Sequence, residues 1–516
     1  MERRPSVLPS GGEVRRVLVA NRGEIALRII RACREEGLES VAVYSEADAR
    51  SSHVAAADAA VPVGPPPAAE SYLNINRLLE AARSSGADAI HPGYGFLAER
   101  AEFADAVAEA GLVFIGPPAD AIRAMGEKTT ARRRMRASGV TVVPGTTEPV
   151  ADADEAARTA SDIGYPVLLK AVAGGGGKGM RRVDAEREVR AAFQQASSEA
   201  LKSFGNGDVY IERFVERPRH VEIQVLADRH GTTVHFGERE CSVQRRYQKL
   251  IEEAPSPVVD QELREGMGAA AVRAAEAVGY VGAGTVEFLL EPNREFYFLE
   301  MNTRIQVEHP ITELVYGVDL VRQQLRIAAG ARIDRTDVPE RPHGHTIECR
   351  ITAEDPFDGF LPSTGAVRYL NVPTGPGVRW DGGIAAGESV GLFYDPLLAK
   401  LIVWGETRPA AMSRMRRALD ELMIVGVATS QPFHRRVLNH KPFLDGDYDI
   451  GYVETHADSL LSAEEPLEDL ERIAVAAALA EHERRHAAVP VRLHDAQCDG
   501  STDSAWLRAA RRDGRR

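Results

Sequence analysis

Glu300-Met301-Asn302-Thr303-Arg304-Ile305-Gln306-Val307-Glu308 decides how this chain is read. If the run is extended, side chains alternate between faces. Glu300, Asn302, Arg304, Gln306 and Glu308 then share one face, while Leu299, Met301, Ile305 and Val307 take the other. Two carboxylates, two amides and a guanidinium opposite an apolar row suit a reaction site laid on a core. Upstream, Val286-Glu287-Phe288-Leu289-Leu290 and Phe296-Tyr297-Phe298-Leu299 read as two strands joined by a tight turn at Asn293-Arg294. A two-residue loop there sets Glu287 opposite Glu300. Like charges placed directly opposite each other destabilise a sheet unless something binds them. A divalent cation is the expected remedy. An all-oxygen set of Glu287, Glu300 and Asn302 suits Mg²⁺ or Mn²⁺, with phosphate oxygens and water completing the shell.

Outward from this hairpin, the chain has 516 residues and a net charge of −13, which argues against a general binder of nucleic acid or anionic membranes. A local basic pocket for phosphates stays open. Cys33, Cys241, Cys349 and Cys498 form no C-x-x-C pair, so neither a zinc site nor a disulfide framework is expected. No apolar run reaches the length of a membrane span, and the polar lead over 1–14 is expected to be disordered and lacks a signal-peptide core. A cytoplasmic protein is the expectation.

Arg16-Val-Leu-Val-Ala20, the helical apolar spacing of Ile25, Ile29, Ile30 and Cys33, and Val41-Ala-Val-Tyr44 make a βαβ unit of Rossmann type. Its first turn, Asn21-Arg22-Gly23-Glu24, is not a dinucleotide fingerprint. His91-Pro92-Gly93-Tyr94-Gly95-Phe96 follows a further strand. It is either a plain tight turn or a ligand-gathering edge of the sheet. One helix is expected over 119–138, carrying Lys128. Strand Tyr165–Lys170 leads into Ala173-Gly174-Gly175-Gly176-Gly177-Lys178-Gly179. This satisfies G-x-G-x-x-G formally, but no strand–helix context supports a dinucleotide reading, and no Ser or Thr follows Lys178 as a P-loop requires. Its bare backbone between Lys170 and Lys178 suits a closing lid on polyphosphate. Glu238 to Lys249, with Arg245, Arg246 and Lys249, reads on its own as a solvated charge run.

Taken together, Ala20–Arg28, His91–Leu97, Met125–Lys128, Lys170–Met180, Pro218–Gln224, Gln244–Pro255, Glu300–Pro310 and Glu348–Pro356 resemble the biotin carboxylase family of ATP-grasp enzymes. The likeness runs from about Arg15 to Glu454. It implies an α/β (α+β) fold with a Rossmann-like N-terminal domain over 15–125 and an ATP-grasp core over 126–330. A glycine-rich lid lies within that core, about 145–215. A biotin carboxylase C-terminal subdomain over 331–456 and a helical, basic tail over 457–516 complete the chain.

The resemblance also implies roles. Lys128, Lys170 and the loop with Gly175, Gly176, Gly177 and Gly179 are expected on ATP phosphates. Glu212, Arg213, Phe214, Val215, His220, Gln244 and Leu289 are expected around the nucleotide. Glu287, Glu300 and Asn302 match the metal ligands, for two Mg²⁺ or Mn²⁺ ions. Lys249, Arg304, Gln306 and Val307 match the bicarbonate site, Glu308 the general base, Arg350 the group facing the biotin enolate, and Tyr94 the biotin region. Tyr247 departs from the histidine common at its position, and the Pro292–Arg294 turn is one residue longer.

The implied activity is ATP-dependent carboxylation of biotin by bicarbonate through carboxyphosphate, the first half-reaction of an acyl-CoA carboxylase such as acetyl-CoA carboxylase in fatty acid biosynthesis. The alternatives are the corresponding subunit of a two-subunit pyruvate carboxylase, or another ATP-grasp ligase. No Ala-Met-Lys-Met tetrapeptide occurs in the chain. Biotin is therefore expected on a separate biotin carboxyl carrier protein, with carboxyltransferase subunits as further partners and a homodimer by analogy.

Overall fold

The computed structural model describes residues 14–172, 180–463 and 475–482. Val17, Leu18 and Val19 have no exposed surface, as short strands covered on both faces require, and form β1 (Arg16–Val19). Helix α1 (Gly23–Glu35) buries Ile25, Ile29, Ile30 and Cys33 and returns the chain to β2 (Glu39–Ser45), parallel to β1. With β3 (Ala59–Gly64), β4 (Ala89–His91) and β5 (Val113–Phe114) the order is β3-β2-β1-β4-β5. The strand order reverses between β1 and β4, the place where open parallel sheets gather ligands. There Asn21 Nδ2 donates to the carbonyls of Pro92 and Tyr94, both at 2.7 Å. Gly93 sits at φ +63°, and a Cβ there would meet Asn21 Nδ2 at 3.0 Å.

The helix expected over 119–138 is two helices, Ala119–Gly126 and Lys128–Ala137. Glu127 breaks it with extended backbone, φ −100° and ψ 112°, and its carboxylate accepts from the hydroxyls of Thr129 and Thr130. Lys128 therefore opens a helix instead of sitting inside one. Next, β6 (Val167–Ala171) pairs antiparallel with β7 (Arg181–Val183) and β8 (Val209–Arg213). Helices Ala153–Ile163 and Glu186–Phe204 cover this small sheet. The glycine loop, 173–179, lies outside the described residues.

The largest sheet has eight strands. Its order is β13 (Phe296–Asn302), β12 (Gly282–Leu290), β9 (Arg219–Ala227), β10 (Thr233–Arg245), β11 (Gln248–Ala254), β14 (His345–Thr352), then Leu397–Gly405 and Val378–Gly382, all antiparallel. One face is mainly apolar. Val221, Ile223, Val225, Val286 and Phe288 pack on helix Gln261–Glu276, and Ile251, Ile347, Ile351 and Leu401 pack on helices Arg408–Glu421 and Gln431–Val437. The other face carries His220, Glu222, Glu287, Lys249, Glu252, Glu348 and Arg350.

The hairpin expected at Asn293-Arg294 differs in detail. Its loop is Pro292-Asn293-Arg294, closed by Glu291 N–H to the Glu295 carbonyl at 2.8 Å, with Arg294 at φ +73°. Near the turn Phe288 faces Phe298, but a register shift at Leu299 restores Glu287 opposite Glu300. The extended run also stops at Asn302. Residues 303–308 leave the strand because Glu99 takes the Thr303 N–H at 3.1 Å and the Arg304 guanidinium at 2.9 Å. Arg304, Gln306 and Glu308 thus reach the site from a loop, not from a strand row.

Among the described residues no helix is long and apolar enough to cross a membrane. A second unit begins at Ala463; its described helix over 475–482 exposes Val475 and Leu479.

Candidate active site

A cleft of about 640 Å³ opens over the polar face of the large sheet. Its walls include Tyr94, Lys128, Lys170, Glu212, Arg213, Phe214, Val215, His220, Gln244, Lys249, Glu287, Leu289, Glu300, Asn302, Arg304, Gln306, Val307 and Arg350. These segments lie far apart in sequence. Glu308 sits beneath the floor with no exposed surface, between Lys249 and Arg350. Gly175, Gly176, Gly177 and Gly179 fall outside the described residues.

Lys249 ties the floor together. Its ammonium donates to Glu308 at 2.7 Å, Glu287 at 2.9 Å and Glu222 at 2.6 Å. The residue gets there through a register shift at Leu250. That extra residue turns Leu250 and Ile251 to the apolar side and leaves Lys249 and Glu252 on the polar one. The charge run over Glu238–Lys249 is thus solvated only near its turn, Arg246-Tyr247, both at positive φ. Arg239 is fully buried, bonding Glu222 and Gln224 at 2.6 Å each. The expectation of a solvated run fails here because alternation through a bulge is not visible locally.

Burial alone would raise the Glu308 carboxyl; Lys249, Arg350 and Arg239 outweigh it and hold the group well below the usual carboxylate range. Glu287 is likewise held far down against its burial by Lys249 and His220, the latter in an ion pair at 2.9 Å. Glu300 has no hydrogen-bond or ion-pair partner among the described residues. It opens into the cleft, while the enclosing protein and then Glu287 push its carboxyl up. An unpaired carboxylate opposite a second one, beside the Asn302 amide, is an oxygen donor set that a divalent cation fits. Asn302 Nδ2 donates to Glu287 at 2.9 Å, and Gln306 Nε2 does so at 3.2 Å.

At the other end, Lys170 bonds Glu212 at 2.6 Å, and Arg132 bonds the same carboxylate at 3.0 Å. Burial works against the Lys170 ammonium, but Glu212 holds its pKa up. Lys128 makes no ion pair among the described residues. Burial and then Lys170 draw its pKa down. Two lysines with one counterion between them make a seat for an anion. Tyr94 lines the opposite rim and donates its hydroxyl inward to Glu24. Tyr247 stands exposed on the lip.

Sequence reading assigns no role to Glu222, Arg239, Glu252, Glu348 or Lys400. Glu222 is detectable from the alternation His220-Val221-Glu222-Ile223-Gln224, polar against apolar. Lys400, buried within an apolar strand and donating to the Val307 carbonyl at 2.9 Å, carries only the signal of one charge in an apolar run.

Three family profiles match the chain: the biotin carboxylase N-terminal domain over 13–122, the ATP-binding domain of the carbamoyl-phosphate synthase L chain over 127–336, and the biotin carboxylase C-terminal domain over 348–455. Biotin carboxylase 1 of Bacillus subtilis is 51% identical over 444 residues, 86% of this chain and 99% of that protein. A pyruvate carboxylase subunit of Methanothermobacter thermautotrophicus is 52% identical over 441 residues, 86% of this chain and 90% of that one. Among solved structures, the biotin carboxylase domain dimer of Hydrogenobacter thermophilus 2-oxoglutarate carboxylase, with MgADP, ADP and bicarbonate, superposes with a TM-score of 0.82 at 47% identity. That match covers 87% of this chain and 99% of the other.

Proposed function

Since the chain belongs to the biotin carboxylase family, an ATP-dependent ligase that carboxylates biotin with bicarbonate, we propose how its own residues carry that reaction. The observation that carries the proposal is Lys249, whose one ammonium bonds Glu308 and Glu287 together. A base and a metal-side acid on one cation couple bicarbonate handling to nucleotide handling.

Glu212, Arg213, Phe214, Val215, Gln244 and Leu289 bound the adenine and ribose end, and Lys128, Lys170, His220 and the 173–179 loop meet the phosphates. Glu287, Glu300 and Asn302 would hold Mg²⁺ or Mn²⁺, which when bound neutralises phosphate oxygens during transfer. Lys249, Arg304, Gln306 and Val307 seat bicarbonate. An anion arriving there competes for Lys249 and Arg350, so Glu308 loses part of what depresses it and becomes basic enough to take the bicarbonate proton. The resulting oxyanion attacks the γ-phosphorus of ATP, giving carboxyphosphate and ADP. Carboxyphosphate breaks to CO₂ and phosphate, and the phosphate takes the N1′ proton of biotin. Arg350 stabilises the enolate, which captures CO₂, while Tyr94 lines the approach of biotin.

The chain acts as the first half-reaction of an acyl-CoA carboxylase in the cytoplasm. Its partners are a biotin carboxyl carrier protein and carboxyltransferase subunits, and it forms a homodimer. A role in a two-subunit pyruvate carboxylase is the second reading, since the Methanothermobacter pyruvate carboxylase subunit, at 52% identity, is as similar as the Bacillus biotin carboxylase at 51%. Co-purifying subunits distinguish the two. The central test measures ADP release from ATP and Mg²⁺ with bicarbonate and biotin added singly and together. ADP release is expected only with both, and full ATP cleavage without either would overturn the proposal. Intact-mass measurement after co-expression with a biotin ligase should show no added biotin.

A further inference from the structure

Beneath Arg350 lies an arrangement of acids that the reaction as described does not use. Glu348 has no exposed surface, and both of its carboxyl oxygens lack a hydrogen-bond partner among the described residues. It stands directly opposite Glu252 across the β11–β14 ladder and two residues from Arg350 on the same face. Glu252 is fully buried too. Its Oε1 accepts from Arg350 at 2.6 Å, and its Oε2 is unpartnered. Arg350 also donates to Glu308 at 2.9 Å. Three carboxyls with no exposed surface therefore crowd one guanidinium on the cleft wall.

Two facing buried carboxylates cannot both stay ionised without a cation for each. The remaining charged groups around them are already committed. Lys400, on the neighbouring strand opposite Arg350, is paired with Glu24 at 3.1 Å and donates to the Val307 carbonyl. Lys249 serves Glu222, Glu287 and Glu308. On helix His309–Tyr316, which packs over this face, Glu313 is held by Arg28 at 2.9 Å and Arg379 at 2.7 Å. His309 on the same helix is kept neutral by burial and by the nearby Lys400, Arg28 and Arg379. Among the described residues no free cation is left for Glu348.

We propose that Glu348 holds a proton at neutral pH and, as a neutral acid beside Glu252, acts as a positioning residue that leaves Arg350 shared between Glu252 and Glu308. Loss of that proton adds a third anion around Arg350, beside Glu252 and Glu308, and the second on the buried side of it. The guanidinium is then drawn toward the two acids and away from the cleft, where it faces the substrate. Burial pushes the Glu348 carboxyl well up, Lys400 only partly opposes this, and Glu252 adds to it. Burial also pushes the Glu252 carboxyl up, but Arg350 opposes it through a contact of 2.6 Å, which makes Glu252 the ionised member. The pair is one coupled unit holding one proton.

The positioning half rests on the reading of Arg350 as the biotin-side cation; the protonation half does not. Infrared difference spectra of the full chain, wild type minus Glu348→Gln, should show a protonated-carboxyl band at pH 7 that is lost as the pH rises. Glu348→Gln keeps a neutral side chain of the same shape. Its carboxylation of free biotin should stay within a few-fold of wild type at pH 7 and lose the alkaline decline of kcat, with the KM for ATP unchanged. A merely structural role would not move the pH profile. Absence of the band in folded protein overturns the protonated acid. A band present with an unchanged alkaline limb in Glu348→Gln overturns the positioning role. Wild-type protein lacking biotin-dependent ADP release would instead bring down the assignment of Arg350, and the infrared result would stand.

Discussion

Glu252 and Glu253 are adjacent on β11 and face opposite sides of the same sheet, and they live by different rules. Glu253, on the apolar side, accepts from His345 at 2.6 Å, from Arg408 at 2.7 and 3.0 Å, and from the Tyr448 hydroxyl. Burial would raise its carboxyl, but His345 and Arg408 bring it to about 2. Glu252, on the cleft side, has one cationic partner, an unpartnered oxygen and a carboxyl pushed up by burial. The structural acid is saturated with donors. Three acids on the cleft side of the sheet, Glu252 and Glu348 beneath the floor and Glu300 on the wall, are left short of them. Glu287 and Glu308, also on the cleft side, do have donors, but theirs come from Lys249 and Arg350, cations on the cleft wall for which an arriving anion can compete.

The contrast can be broken first at Glu308. Glu308→Gln should lower carboxylation about 10²- to 10⁴-fold while ATP affinity stays within a few-fold, because a general base acts in the transition state. Loss of ATP binding by folded variant protein would contradict the role. On the apolar face, Ile347→Ala should cost about 2–5 kcal/mol of stability through the cavity it leaves, with kcat per folded molecule nearly unchanged. A variant of wild-type stability but reduced kcat would blur the two faces.

A smaller effect is expected with pH. The folded Glu253 carboxyl, at about 2, lies below its ordinary 4.5, so its stabilisation is present above about 4.5 and fades as the pH falls toward 2. This amounts to on the order of 3 kcal/mol. Denaturation midpoints at stepped pH should show wild type losing its advantage over Glu253→Gln across that window, and a constant gap would refute it. The mildest test is Glu300→Gln, which should raise the Mg²⁺ concentration needed for ATP cleavage about tenfold or more. An unchanged Mg²⁺ dependence would remove the hairpin from the metal site.

Much of this site is legible along the chain. The acid hairpin, with Glu287 opposite Glu300, follows from alternation and a turn. Even so, the loop has three residues, and a bulge at Leu299 supplies the register that a two-residue loop would have given. The βαβ start and the strands around the glycine loop follow from local apolar spacing. The helix expected over 119–138 is not continuous, and nothing in its propensities marks Glu127; the break comes with Thr129 and Thr130 bonding that carboxylate.

By itself the sequence determined which residue types stand in which order, and therefore the family, the nucleotide chemistry and most of the cleft lining. Only the tertiary structure decided that Lys249 serves three acids, that Glu308 leaves the strand row to sit between Lys249 and Arg350, and that Glu348 faces Glu252 without a cation. The reason is physical. Alternation and turn chemistry are local and visible along the chain, whereas a bulge or a shared counterion depends on how strands far apart in sequence fall into register. Glu99, about two hundred residues before Arg304, holds Thr303 and Arg304 where the chain leaves the strand, and no window of sequence around that loop contains it.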